Sequence, residues 1–166
     1  MCGIAGFCNM PERWEEYIKG MDNRMITRGP DAEGIWANED KSVVLGHRRL
    51  AIIDLSENGA QPMVSSSERF VIALNGEIYN FKELRKKLLA EKKVFGFKGN
   101  CDTEVLLELI EAYGLTASLT MVKGMYAFAL FDRKTQKLYL VRDRIGEKPL
   151  YYGFINQKFV FASDLG

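Results

Sequence analysis

The 166-residue sequence contains a single histidine, His47. A zinc site built from several histidines is therefore excluded, and any Ser–His or Cys–His device must use His47. An enzyme of this composition either relies on that one ring or finds its general base elsewhere. Long apolar runs are lacking too: the longest, Met125 to Phe131, has seven residues, far too few to cross a bilayer. No basic segment leads into an apolar stretch at the start, so no secretory signal is expected. An excess of one charge is also absent, with 23 Lys and Arg against 22 Asp and Glu. Bulk electrostatics therefore favour neither nucleic acid nor an anionic membrane as a partner. The cysteines, Cys2, Cys8 and Cys101, are odd in number and lack metal-ligand spacing. The expectation is a reduced, cytoplasmic protein without a metal site.

What is present reads as one soluble globular domain, 47% hydrophobic and 27% charged, large enough to bury a core. Short apolar runs alternate with turn clusters. "GIAGFC", "GIWAN", "SVVLGHRRLAII" and "RFVIALN" predict strands before a helical block, and "YAFALFD", "KLYLVRD", "PLYYGFI" and "KFVFAS" predict strands after it. Asn156 and Gln157 stand where a hairpin turn belongs. The stretch from Trp14 to Met25 has helical character. Two further helices are clearer: Phe81 to Glu91, with Asn80 as a candidate N-cap, and Thr103 to Tyr113, with Gly114 as a stop signal. Tight links between consecutive strands imply antiparallel sheets with helices on their outer faces, an α+β domain. The chain stops just after its last strand, in "FVFASDLG", and is expected to be truncated at its C-terminus.

Polar groups with chemical potential gather at strand ends and loops: Cys2, Arg28 to Asp31, His47 to Arg49, Asn75 to Asn80 and Cys101 to Glu104. Each has an ordinary explanation. In "MCGIAGF", Cys2 could be a small hydrophobe on an edge strand, or a nucleophile uncovered by removal of Met1. Asn75-Gly76 is a common turn pair, and Asp102 stands where an N-cap belongs. Arg48 and Arg49 alternate faces on an extended strand, so one can pair with a carboxylate while the other faces elsewhere.

Taken together, "MCGIAGF", "RGPDAEG", "LGHRRLAIIDLSENGAQPM", "LNGEIYNF", "CDTEV", "GMYAFALFD" and "RDRIGEKPLYY" resemble the glutaminase domain of class II glutamine amidotransferases. Within that group they are most similar to the asparagine synthetase branch, over essentially the whole chain. The resemblance implies a four-layer αββα sandwich, two antiparallel sheets between helical layers, of the N-terminal nucleophile hydrolase type. It also implies that Cys2 attacks the side-chain amide of glutamine, giving a γ-glutamyl thioester and ammonia. The freed α-amino group of Cys2 serves as base. An α-amine with a reference pKa of about 7.7–8.0 suits a thiol at about 8.5, and no histidine is needed. The oxyanion hole falls to the Asn75 side chain and the Gly76 N–H. Arg49 takes the substrate α-carboxylate through a bidentate fork, Asp102 takes the α-ammonium, and Ile53 and Glu77 line the pocket.

By the same resemblance the ammonia serves a C-terminal synthetase domain that uses ATP and magnesium on an acceptor acid, and a homodimer is allowed. Residues 1–166 would be the glutaminase domain alone, with no cofactor of its own and the synthetase domain absent. No Walker-type or Ser-Gly-Gly phosphate loop occurs in them. The acceptor, aspartate or another acid such as a sugar acid, stays open. Two positions depart from the branch pattern: Thr27 stands where histidine usually precedes "RGPD", and Cys101 where serine usually precedes "DTE". Two alternatives stand beside this reading. One is a catalytically silent module of the same fold with a regulatory or partner-binding role. The other is an ordinary Cys–His hydrolase using His47.

Overall fold

Thirteen regular elements form four layers in the computed structural model, which describes residues 1–10, 12–51 and 56–165. Strand β1 (Gly3–Cys8) lies at the centre of a five-stranded sheet, between β3 (Val43–Arg49) and β9 (Lys158–Ala162). Strands β2 (Ala32–Ala37) and β8 (Tyr151–Ile155) form its edges. The second sheet has the order β4 (Met63–Val64), β5 (Phe70–Ile78), β6 (Gly124–Asp132), β7 (Lys137–Arg142). All pairings are antiparallel. The predicted hairpin at Asn156 and Gln157 is present, with φ of 49° and 65° at the two residues, the left-handed backbone that a tight two-residue turn requires.

Period-two alternation builds the layers. Val43 and Leu45 of β3 meet Val71, Ala129, Phe131 and Phe161 between the sheets, while Val44, with Ala5 and Phe7 of β1, packs outward under helix α1 (Trp14–Arg24). On the far side, Ile72, Leu74 and Phe128 are covered by α2 (Phe81–Ala90) and α3 (Asp102–Tyr113). The result is the αββα sandwich expected from the resemblance. A short helix, α4 (Leu115–Met121), follows Gly114 directly and was not visible as an apolar stripe. Gly114 has φ of 81° and ends α3 as predicted, because left-handed backbone suits a residue without Cβ.

Two capping expectations change. Asn80 precedes α2, but its side chain makes no cap. Its Nδ2 donates to Met121 O at 3.0 Å and its Oδ1 accepts from Lys123 N at 2.9 Å, tying α2 to the turn before β6. Asp102 is the first residue of α3 rather than its cap, a position taken by Cys101.

Candidate active site

Cys2 immediately precedes β1, and the alternation that sends Ala5 and Phe7 toward α1 turns Cys2 and Ile4 into the gap between the sheets. Asn75 stands on β5 of the opposing sheet, on the same face as Val71, and points into that gap from the other side. One end of the sandwich thus brings a thiol and a carboxamide together. They line a cavity of about 300 Å³ with Arg49, Gly76, Glu77 and Asp102. Every site residue predicted from the sequence is in this cavity except Ile53, which lies outside the described residues. A larger hollow of about 600 Å³ opens elsewhere, between the β2–β3 and β6–β7 turns, around Trp36, Asp40, Arg69 and Arg133. Neither cysteine nor histidine lines it, and the smaller cavity is the one with a set of groups that can act together.

The Cys2 thiol is fixed by the backbone of Leu50. Sγ accepts from Leu50 N at 3.4 Å and donates to Leu50 O at 3.7 Å. Behind it, Arg28 Nε donates to the Cys2 carbonyl at 3.4 Å, pinning a terminus that would otherwise fray.

Asn75 is 1% exposed, and its Nδ2 is buried without a hydrogen-bond partner. The pair Asn75-Gly76 is not a turn; both residues lie inside β5. The missing side chain of Gly76 is required by the neighbouring strand, since a Cβ there would stand 2.3 Å from Met125 O. The N–H groups of Leu74 and Ile78 point to the edge of β5 that β4 leaves uncovered, where Gln61 Oε1 accepts at 2.6 Å and Asp102 Oδ2 at 2.8 Å. Alternation turns the Gly76 N–H to that same edge, midway between them.

Arg48 and Arg49 divide as the strand pattern implies. Arg48 turns toward α1, donating to Asp22 O and Asn23 Oδ1 and pairing with Glu33 at 2.7 Å. Arg49 faces the cavity, with Nη1 donating to Ser56 O at 2.9 Å. Across from it, burial raises the Asp102 carboxyl above its ordinary range, opposed by the backbone N–H groups of Ile78 and Thr103.

His47 is fully buried and takes no part in this cavity. Its Nε2 donates to Leu74 O at 3.0 Å, bridging the two sheets, and burial lowers it to about 4. With Nδ1 unpartnered and the Cys2 thiol held by Leu50, the two do not form a Cys–His pair. Sequence reasoning missed Gln61 and Lys148, which also line the cavity. Gln61 Nε2 donates to Thr103 Oγ1 at 3.2 Å. Only the Gln-Pro within "ENGAQPM" hinted at an ordered loop there.

The glutamine amidotransferase domain profile matches residues 1–166. An asparagine synthetase (glutamine-hydrolysing) of Bacillus subtilis is 42% identical over 99% of this chain, which corresponds to 26% of that relative. A putative asparagine synthetase of Methanocaldococcus jannaschii is 38% identical over 99% of this chain and 34% of its own length. The chain thus spans between about a quarter and about a third of the length of these relatives. The solved glutamine phosphoribosylpyrophosphate amidotransferase of B. subtilis, in complex with ADP and GMP, superposes with a TM-score of 0.77 at 25% identity. That match covers 98% of this chain and 42% of that one. A thiol and an unpartnered carboxamide facing each other across a two-sheet sandwich, together with the full-length profile match, place this chain in the glutamine amidotransferase domain family.

Proposed function

We propose that this domain hydrolyses glutamine to glutamate and ammonia through a γ-glutamyl thioester on Cys2. The observation that carries the reading is the buried Asn75 Nδ2, which has no partner and lines the same cavity as the Cys2 thiol. A donor left unpaired in the resting protein is ready for an oxygen that gains charge only when the thiol adds. With Met1 attached, the Cys2 nitrogen is an amide and cannot accept a proton, so the active species is the one from which Met1 has been removed.

In that species the α-amine takes the thiol proton as Sγ bonds to the amide carbon of the substrate. The carbonyl oxygen becomes an oxyanion held by Asn75 Nδ2 and Gly76 N–H. The amine then passes its proton to the departing nitrogen, the C–N bond breaks, and ammonia leaves. Water adds to the thioester, with the amine as base again, and releases glutamate and the thiol. Arg49 holds the substrate α-carboxylate and Asp102 its α-ammonium, with Glu77 beside them. The substrate cation gives the buried Asp102 carboxylate the partner it needs to stay ionised.

The relatives' names support a further step, in which the ammonia serves a synthetase domain in a longer protein, as in glutamine-hydrolysing asparagine synthetases. The ATP and magnesium of that step belong to the other domain, since these 166 residues carry no glycine-rich phosphate loop.

Intact-mass analysis of the protein from its native host, before and after treatment with an electrophilic glutamine analogue, tests the proposal. The expected result is loss of Met1 and a single adduct on Cys2. Retained methionine, or adducts confined to Cys8 or Cys101, would falsify it and leave a binding module of the same fold.

A further inference from the structure

The loop between β7 and β8 carries a cation that the proposed chemistry does not use. Lys148 is 6% exposed and lines the cavity together with Met1 and Cys2. Its backbone is clamped on both sides: its N–H donates to Asp143 Oδ2 at 3.0 Å, and its carbonyl accepts from Arg142 Nε at 2.6 Å. The Asp143 carboxylate also takes the N–H groups of Tyr126, Ile145 and Glu147, so the loop is rigid where it presents the lysine.

A nearly buried ammonium normally requires an anion. Among the described residues, no carboxylate lies within ion-pair distance of Lys148 Nζ. Its hydrogen bond goes instead to Met1 Sδ at 3.4 Å, a weak acceptor. Removal of Met1 takes away that sulfur and leaves Nζ facing the cavity in which the new α-amino group appears. When a lysine-type ammonium and an α-ammonium are crowded together, the α-ammonium, the more acidic of the two, gives up its proton.

Resting on the proposed role of Cys2, we propose that Lys148 is a positioning residue whose ammonium keeps the freed α-amino group of Cys2 neutral and able to accept a proton. The other charged groups around Cys2 come from four elements. Arg28, from the loop after α1, donates to the Cys2 carbonyl and has Asp164 at 3.5 Å from Nη1. Arg49 of β3, Glu77 of β5 and Asp102 of α3 line the substrate side of the cavity. Lys148 enters from the remaining side, next to the residue whose removal creates the amine.

The test is the pH dependence of Cys2 alkylation by the electrophilic glutamine analogue, in the Met1-processed protein and its Lys148→Met, Lys148→Gln and Lys148→Arg variants. In the Met and Gln variants the acid limb moves to higher pH by about one unit, roughly a tenfold slower reaction below the limb. Lys148→Arg keeps the original limb. Two neutral replacements guard against one of them failing to fold, and a lysine that only fills space would lower the melting temperature without moving the limb. Alkylation with the same limb in wild type and in both neutral variants overturns the role of Lys148 alone. No alkylation of Cys2 in wild type overturns the proposed function, and this inference with it.

Discussion

Asn75 keeps an amide group buried without a partner, at a cost of about 1–3 kcal/mol in the resting protein. In the proposed reaction that cost is recovered only when the substrate's oxygen arrives to accept from it. Because the oxygen accepts most strongly as an oxyanion, the recovery falls in the transition state rather than in substrate binding. Asn75→Ala should therefore lower kcat for glutamine hydrolysis by roughly 100- to 1,000-fold with little change in KM. The folded state should lose no stability, because the orphaned group leaves with the side chain. A variant whose KM rises while kcat holds would make Asn75 a binding residue instead. Arg48 and Arg49 show the same dependence on position at single-residue resolution. They are chemically identical neighbours, and the strand pleat alone sends one to Glu33 and α1 and the other to the cavity.

At the scale of elements, β5 decides the geometry of the site, and it was only partly legible in the sequence. "RFVIALN" announced a strand, but Asn-Gly is locally a turn pair, and the true end lies three residues later at Ile78. Pairing with β6, continuous from Phe70 to Ile78, overrides the local preference. Asp102 was only half legible for a similar reason. Its carboxylate also reaches across to Ile78 N, a contact between residues 24 apart that no local pattern encodes. Gly76 gives a direct test of this tertiary control. A methyl group there would meet the Met125 carbonyl at 2.3 Å, and a paired backbone cannot yield as a side-chain tip can. Gly76→Ala is expected to cost about 1–3 kcal/mol in denaturant unfolding. Gly20→Ala, in α1 with nothing within 4 Å of the added carbon, should instead stabilise by about 0.5–1 kcal/mol. Equal effects at the two positions would count against strand crowding as the reason for glycine at 76.

For the whole molecule, the alternation of apolar runs and helical stripes predicted antiparallel sheets with helices on their outer faces, while the pairing of two sheets in a four-layer sandwich came from the family resemblance. The buried charges within the layers were not legible, because burial of an ionisable group depends on which layers meet. Asp22 of α1 is the clearest case: fully buried against Gly46 of β3, with both carboxylate oxygens unpartnered. Burial raises it to about 7, opposed by Arg48 and reinforced by Glu33. Asp132, gripped by Arg69 at 2.8 and 3.0 Å, is lowered to about 2. The two act in opposite senses. Between its ordinary value of 3.8 and about 7, Asp22 is ionised in the unfolded chain but protonated in the fold. The folded state then binds the extra proton, and stability falls as pH rises through that window. Asp132 contributes stability that is present above 3.8 and is lost as pH falls toward about 2. His47, lowered from 6.5 to about 4, works against Asp22: it adds stability as pH rises between 4 and 6.5 and offsets the Asp22 slope there, so the contribution of Asp22 is read by comparing wild type with a variant that cannot ionise. Asp22→Asn cannot ionise, so its advantage over wild type should be absent near pH 4, grow to on the order of 2–4 kcal/mol by pH 7, and level off above it. Melting temperatures of the two proteins from pH 4 to 8 measure this directly. A gap that stays constant across that range would mean that Asp22 is already ionised in the fold, with Arg48 compensating the burial.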